Sequence, residues 1–122
     1  MGEQRRQMIS RDLRVPCECE AILALRGQAY KARCQNVTQK MIAFSIEGAR
    51  AKIGDIVTFK VSRFIGKTSL TAHGRVFRKE EVINPITRKV SAYVVIELTH
   101  VEPMARRLLK MFLENNCVEL AV

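Results

Sequence analysis

Thr68-Ser69-Leu70-Thr71-Ala72-His73-Gly74-Arg75-Val76-Phe77-Arg78 keeps a strict two-residue period, with Leu70, Ala72, Gly74, Val76 and Arg78 on one side of it. Side chains of an extended strand point alternately to opposite faces, so the stretch predicts one long, half-buried strand. Gly74, inside the apolar series, marks a bulge or a point where another backbone comes close. The same alternation sets Arg75 and Arg78 on opposite faces, and either could extend a basic surface together with Arg33.

The period recurs on both sides. Residues 56–61 alternate after Ile53-Gly54-Asp55, and Ile65-Gly66-Lys67 forms the next turn. Nearer the start, residues 17–25 alternate and then turn apolar, Arg26-Gly27-Gln28 interrupts, and residues 29–34 resume, which reads as a hairpin with Gly27 at the turn. Asn36-Val37-Thr38-Gln39-Lys40 is a polar break before a strand at residues 41–46, closed by Glu47-Gly48. Downstream, residues 80–88 with Asn84-Pro85 read as a loop and residues 90–98 as the last strong strand. About six short strands at regular spacing predict an all-β fold, a closed or nearly closed antiparallel barrel. Phe44, Phe59, Phe64, Phe77 and Tyr93 fit core or near-core strand positions.

After residue 100 the period lengthens. Met104, Leu108, Met111 and Phe112, joined by Leu109 and Leu113, follow helical spacing, with Arg106, Arg107 and Lys110 opposite. Pro103 suits the first turn and Asn115-Asn116 the exit, so one amphipathic helix flanks the barrel with its apolar stripe toward the core. Residues 1–15 carry Arg5, Arg6, Arg11 and Arg14 without apolar patterning and read as a basic arm. The expected organisation is an arm at 1–15, a barrel with helix at 16–116 and a short tail at 117–122.

Composition narrows the function. The 122 residues suit a single domain, and an apolar fraction of 48% with 27% charged residues is ordinary for a globular chain. Neither a membrane span nor a secretory signal is read, which makes the cytoplasm the expected compartment. Cys17, Cys19, Cys34 and Cys117 contain no CxxC spacing and read as buried, reduced thiols. The motifs GxSxG, HExxH, GxGxxG, the P-loop and the calcium loop are absent, and His73 and His100 have no triad-like or metal-like neighbours in sequence, so a binding protein is expected rather than an enzyme. A net charge of +9 favours phosphate-bearing partners or an acidic protein surface. Aromatic residues at 6% with no Trp argue against a single-strand nucleic-acid platform, which relies on base stacking.

Two segments stand out: Gln4-Arg5-Arg6-Gln7-Met8-Ile9-Ser10-Arg11-Asp12-Leu13-Arg14 in the arm, and Asn36-Val37-Thr38-Gln39-Lys40-Met41 between two strands. With the strand spacing, the Gly54-Asp55 turn and the closing helix, they resemble the PilZ family along nearly the whole chain. The resemblance implies a six-stranded PilZ-type barrel with a C-terminal helix, and a receptor for cyclic di-GMP in bacterial second-messenger signalling. The family reads that ligand with an arm motif RxxxR, whose first position also accepts Gln, and a barrel-face motif [Asp/Asn]xSxxG. Gln7 to Arg11 matches the arm motif with Arg5 and Arg6 just before it; an alternative register runs from Ser10 to Arg14. Asn36 and Thr38 match the first two positions of the second motif, and Met41 stands where the family has glycine.

The implied ligand-binding residues are Arg5, Arg6, Gln7, Arg11, Arg14, Asn36 and Thr38, with no metal and no cofactor beyond cyclic di-GMP as ligand. Arginine suits it because a guanidinium grips a phosphate bidentately, addresses the O6 and N7 edge of guanine, or lies flat on the base. Asn36 can both donate and accept at a base edge, and Thr38 keeps a hydroxyl. Met41 would cost about 1 kcal/mol if the site needs a positive φ. The second reading is therefore a PilZ-type protein-interaction module that no longer binds nucleotide. A partner protein is expected in either case, and neither a membrane span nor a specific nucleic acid is.

Overall fold

The computed structural model describes residues 14–47 and 51–121. Among them run β1 (Val15–Pro16), β2 (Glu20–Leu25), β3 (Gln28–Val37), β4 (Met41–Glu47), β5 (Ile56–Ile65), β6 (Thr68–Ile83), β7 (Val90–His100) and α1 (Pro103–Ala121). All pairings are antiparallel, in the order β1-β3-β2-β5-β6-β7-β4, and β4 returns to β3. Six strands thus close into a barrel and β1 lies outside the ring. Closure leaves no long unpaired edge.

The interior is the apolar half of each alternating strand. Leu23, Ile42, Phe44, Ile46, Phe59, Leu70 and Ile96 are fully buried, and the Phe44 and Phe59 rings meet at 5.2 Å between centroids with a 59° tilt. Each such side chain stabilises the fold by about 1.5–3 kcal/mol through loss of water contact. The helix closes one opening: Ala105, Leu108, Leu109 and Leu113 are buried, and Phe112 stacks on Phe64 of β5 at 4.5 Å. Glu102 O accepts from Arg106 N at 2.9 Å, so Pro103 begins the helix where no N–H is needed.

Turn chemistry follows the residues. Arg26 and Gly27 both have positive φ, 53° and 78°, as the tight β2–β3 hairpin requires. Arg26 is held there by Asp55, its Nη2 lying 3.1 Å from Oδ2. Asp55 also accepts from Lys52 N at 2.9 Å, and this bond first, then Arg26, holds its carboxyl below the ordinary carboxylate range. Gly54, at φ 95°, donates to Val76 O, and Asp55 O accepts from Val76 N, so this turn staples the start of β5 to β6.

Several expectations need correction. Alternation through 17–25 breaks: Glu18 adopts φ 54°, residues 17–19 belong to no strand, and they separate β1 from β2, both on the same side of β3. Val15, assigned to the arm, is a buried residue of β1, and the helix passes Asn115-Asn116 and continues to Ala121. Asn116 Nδ2 donates to Phe112 O one turn back at 2.8 Å, so this asparagine serves the helix instead of ending it. β5 runs beyond residue 61 to Ile65, with Arg63 at φ 50°, and β6 runs through residues 80–83, which read as loop. Met104 and Met111 face solvent, because the buried stripe is centred on Ala105, Leu108 and Leu109.

The most consequential correction lies at Phe77. The β6–β7 register goes from Val76↔Ile96 to Arg78↔Val95, leaving Phe77 as an extra residue. One extra residue reverses the facing of everything after it. Phe77 itself, next after inward Val76, is 48% exposed and not a core or near-core position; because of the extra residue Arg75 and Arg78 share the outer face, and Lys79 turns inward to donate to Ala51 O at 2.9 Å.

Candidate ligand-binding site

The outer face of β3, β4, β7 and β6 is ordered into cross-strand rows. One row is Arg33-Ser45-Tyr93-Glu80, the next is Asn36-Ala43-Val95-Arg78, and Met41-Glu97-Arg75 follows. With strands about 4.8 Å apart, four positions of a row span roughly 14 Å. Small side chains, Ala43 and Ser45, occupy the middle, while Arg33, Arg75 and Arg78 are exposed around them. The result is a face of small and polar side chains with Arg33, Arg75 and Arg78 around it and Glu80 and Glu97 among them, its arginines available to an anionic ligand.

Asn36 reaches this face through a second irregularity. The β3–β4 register skips from Cys34↔Phe44 to Asn36↔Ala43, so Gln35 and Asn36 both lie half-buried on the outside while Cys34 and Val37 point into the core. Gln35 Nε2 donates to Ser45 Oγ at 3.2 Å and Asn36 Nδ2 to Tyr93 Oη at 3.0 Å. Tyr93, read as near-core, is therefore part of the outer face; its position between buried Ala92 and Val94 is the signal for that. Asn36 Oδ1 is not used in that bond and can accept from a ligand.

Thr38 shapes the turn after β3. Its N–H donates to Met41 O at 2.8 Å, and its Oγ1 accepts from Met41 N at 3.0 Å. The polar-turn role of Thr38 is thus present in the structure. Met41 begins β4 opposite Glu97, and the non-glycine positive-φ positions among the described residues are Glu18, Arg26, Arg63 and Arg88. Met41 is not one of them, so the backbone strain expected of a side chain there does not arise. Its effect on the face is one of bulk.

Of the arm residues only Arg14 falls among those described, exposed immediately before Val15; Arg5, Arg6, Gln7 and Arg11 lie outside them. The register Val15↔Val37 and Pro16↔Asn36 brings the root of the arm beside Asn36 and the Thr38 turn.

Three cysteines gather where β1 gives way to β2. Cys17 N donates to Gln35 O at 3.2 Å, Cys34 N to Cys19 O at 2.7 Å, and Cys19 Sγ to Cys17 O at 3.4 Å. Cys34 is buried, whereas Cys17 and Cys19 are only half-buried, a correction to the reading of all as core thiols. A hydrogen bond from the Cys34 thiol brings Cys17 down to about 7 against the opposing effect of burial, and burial first pushes Cys19 up to about 11. Among the described residues no group of three or more His, Cys, Asp or Glu is placed to hold a metal ion. His73 Nδ1 and Thr58 Oγ1 share a hydrogen bond of 2.9 Å, and the His73 ring lies 6.5 Å from that of His100.

The backbone superposes on the PilZ domain of YcgR from Escherichia coli, solved with c-di-GMP, at a TM-score of 0.59 and 14% identity, covering 88% of this chain and 92% of that one. It is also similar to the inhibitor of motility MotI/DgrA of Bacillus subtilis, at 0.67 and 11% identity over 89% of this chain and 52% of that one. K. pneumonia MrkH in its apo state matches at 0.69 and 10% identity, with 90% and 51% covered. This is a PilZ-type fold. No family model and no curated protein matches the sequence. The PilZ-type chain spans about half the length of MotI/DgrA and of MrkH. In it Asn36, at the end of β3, faces outward and Thr38 closes the turn that follows.

No described helix of the PilZ-type domain is long and apolar enough to cross a membrane.

Proposed function

We propose that this PilZ-type domain is a cyclic di-GMP receptor, in which the N-terminal arginines fold onto the outer face around Asn36, Ser45 and Arg78. The observation that supports the reading is the β1–β3 pairing, because it puts Val15 and Pro16, where the chain leaves the arm, beside Val37 and Asn36. Arg11 and its neighbours supply guanidinium groups for phosphate and guanine, Arg78 and Arg33 add positive field at the flanks, and Asn36 addresses a base edge. Ordering of the arm then changes the surface offered to a partner protein. The domain acts in this reading as a switchable adaptor in second-messenger signalling, with no catalytic step.

Isothermal titration of the full chain with cyclic di-GMP, against GTP and the linear dinucleotide, tests it. Arg11→Ala should abolish heat release; affinity equal to the wild type would overturn the arm's role. The second reading, a protein-docking module without nucleotide, is favoured by Thr38, whose hydroxyl accepts from the Met41 N–H, and by the Met41 side chain on the same face. Absence of any heat with cyclic di-GMP would select it.

A further inference from the structure

Beyond the last β4 pairing, Glu47↔Ser91, the ends of β6 and β7 continue as a two-stranded ribbon through the Ile83↔Val90 pair and the loop that joins them, with Val82↔Ser91 at its base. The ribbon carries unusual exposed apolar surface. Ile83 is 64% exposed and Ile86, in the connecting loop, 89%, and Val82 and Val90 are exposed as well. Arg88 and Lys89 sit at the same tip, and residues 82–90 contain no acid. The neighbouring acids lie at the barrel end of this segment: Glu47 pairs with Ser91, and Glu80 and Glu81 precede Val82, with Glu81 paired to Lys79 at 3.2 Å.

The loop holds its own backbone. Asn84 Oδ1 accepts from Ile86 N at 2.9 Å and from Thr87 N at 3.1 Å, while Asn84 O accepts from Arg88 N at 2.8 Å and Lys89 O from Asn84 N at 3.0 Å. Its N–H groups therefore do not depend on water, a condition for entering an apolar medium. Ile86 is also displayed in a pre-ordered conformation, so little entropy is lost when the tip is covered.

We propose that this tip inserts end-on into an anionic lipid surface, with Ile83, Ile86 and Val90 in the interfacial layer and Arg88 and Lys89 against the headgroups. Alternation places Val82 on one face of the ribbon and Ile83 with Val90 on the other, and Ile86 lies at the end. A rigid protein partner covers one face, whereas lipid surrounds a narrow tip on all sides. The charge at the tip matches anionic headgroups.

Co-sedimentation of the full chain with vesicles of equimolar phosphatidylglycerol and phosphatidylcholine, and with phosphatidylcholine alone, is the test. Binding is expected only to the anionic vesicles. Ile86→Ser, and separately the pair Arg88→Glu with Lys89→Glu, should each lower partitioning about tenfold. Met104→Ser, which changes an exposed apolar residue of α1, should leave it unaltered. The chain has no Trp, so Ile86→Trp gives a single emitter whose fluorescence should shift to the blue on anionic vesicles. Wild-type binding by Ile86→Ser, or an equal loss in Met104→Ser, would overturn the proposal by reducing the effect to adsorption of a basic protein. No vesicle binding at all would overturn it too, and leave the tip to a protein surface.

Discussion

A side chain at Gly74 has nowhere to go. A Cβ built there would collide with the Ile96 side chain and lie 2.5 Å from Glu97 O, a backbone atom that cannot step aside. Gly74→Ala should cost about 1–3 kcal/mol, read as a lowered urea midpoint with unchanged slope. Cys17 is the reactive thiol of its cluster: with its pKa at about 7 against an ordinary 9.0, the thiolate predominates above neutral pH. Alkylation of Cys17 by iodoacetamide, followed by peptide mass spectrometry, should therefore accelerate as pH rises through about 7, ahead of Cys19 at about 11. Cys34→Ala removes the donor that steadies the thiolate and should move that inflection upward. Met41 adds bulk but no backbone strain at the outer face, so Met41→Gly should tighten cyclic di-GMP binding severalfold in the same titration that tests the arm.

At the scale of elements, the helix is held to the barrel by a small number of contacts of known kind. Phe64 and Phe112 stack at 4.5 Å with a 25° interplanar angle, and a double-mutant cycle of Phe64→Leu and Phe112→Leu should give a coupling of about 0.5–1.5 kcal/mol. Which elements exist was legible from the sequence because burial imposes its period directly: β7 and the first half of β6 alternate buried and less buried residues much as their letters do, whereas β2 exposes apolar Ile22 and β4 buries Ile42, Ala43 and Phe44 in a row. The Gly27, Gly54 and Gly66 turns were legible for an equally local reason, since each glycine has a positive φ. The irregularities were not. Nothing in residues 73–80 announces that Phe77 is left unpaired, because a bulge is decided by the partner strand's register and not by local preference. The candidate face suffered most from this, as Arg78 and Tyr93 reach it only through tertiary pairing, while Asn36 and Thr38 were visible as a motif.

The whole molecule joins a closed barrel to a basic N-terminal segment at one seam. A ligand that binds only the folded state stabilises it in proportion to the logarithm of its concentration over Kd, about 2.7 kcal/mol at a hundredfold excess. For a chain of this size that corresponds to a rise in the thermal midpoint on the order of 10 °C, which calorimetry should show for the wild type and lose in Arg11→Ala. Such a shift, present in the wild type and lost in Arg11→Ala, would report arm and barrel acting together. Phe77 deserves comparison with an inserted letter in a line of text. Before it, even-numbered residues of β6 spell the interior; after it the odd-numbered Lys79 does, and Arg78 is the first residue read in the new frame. Read straight through, with no bulge at Phe77, the same letters would carry Arg78 into the core and Lys79 away from Ala51, taking an arginine from the outer face without changing a single residue.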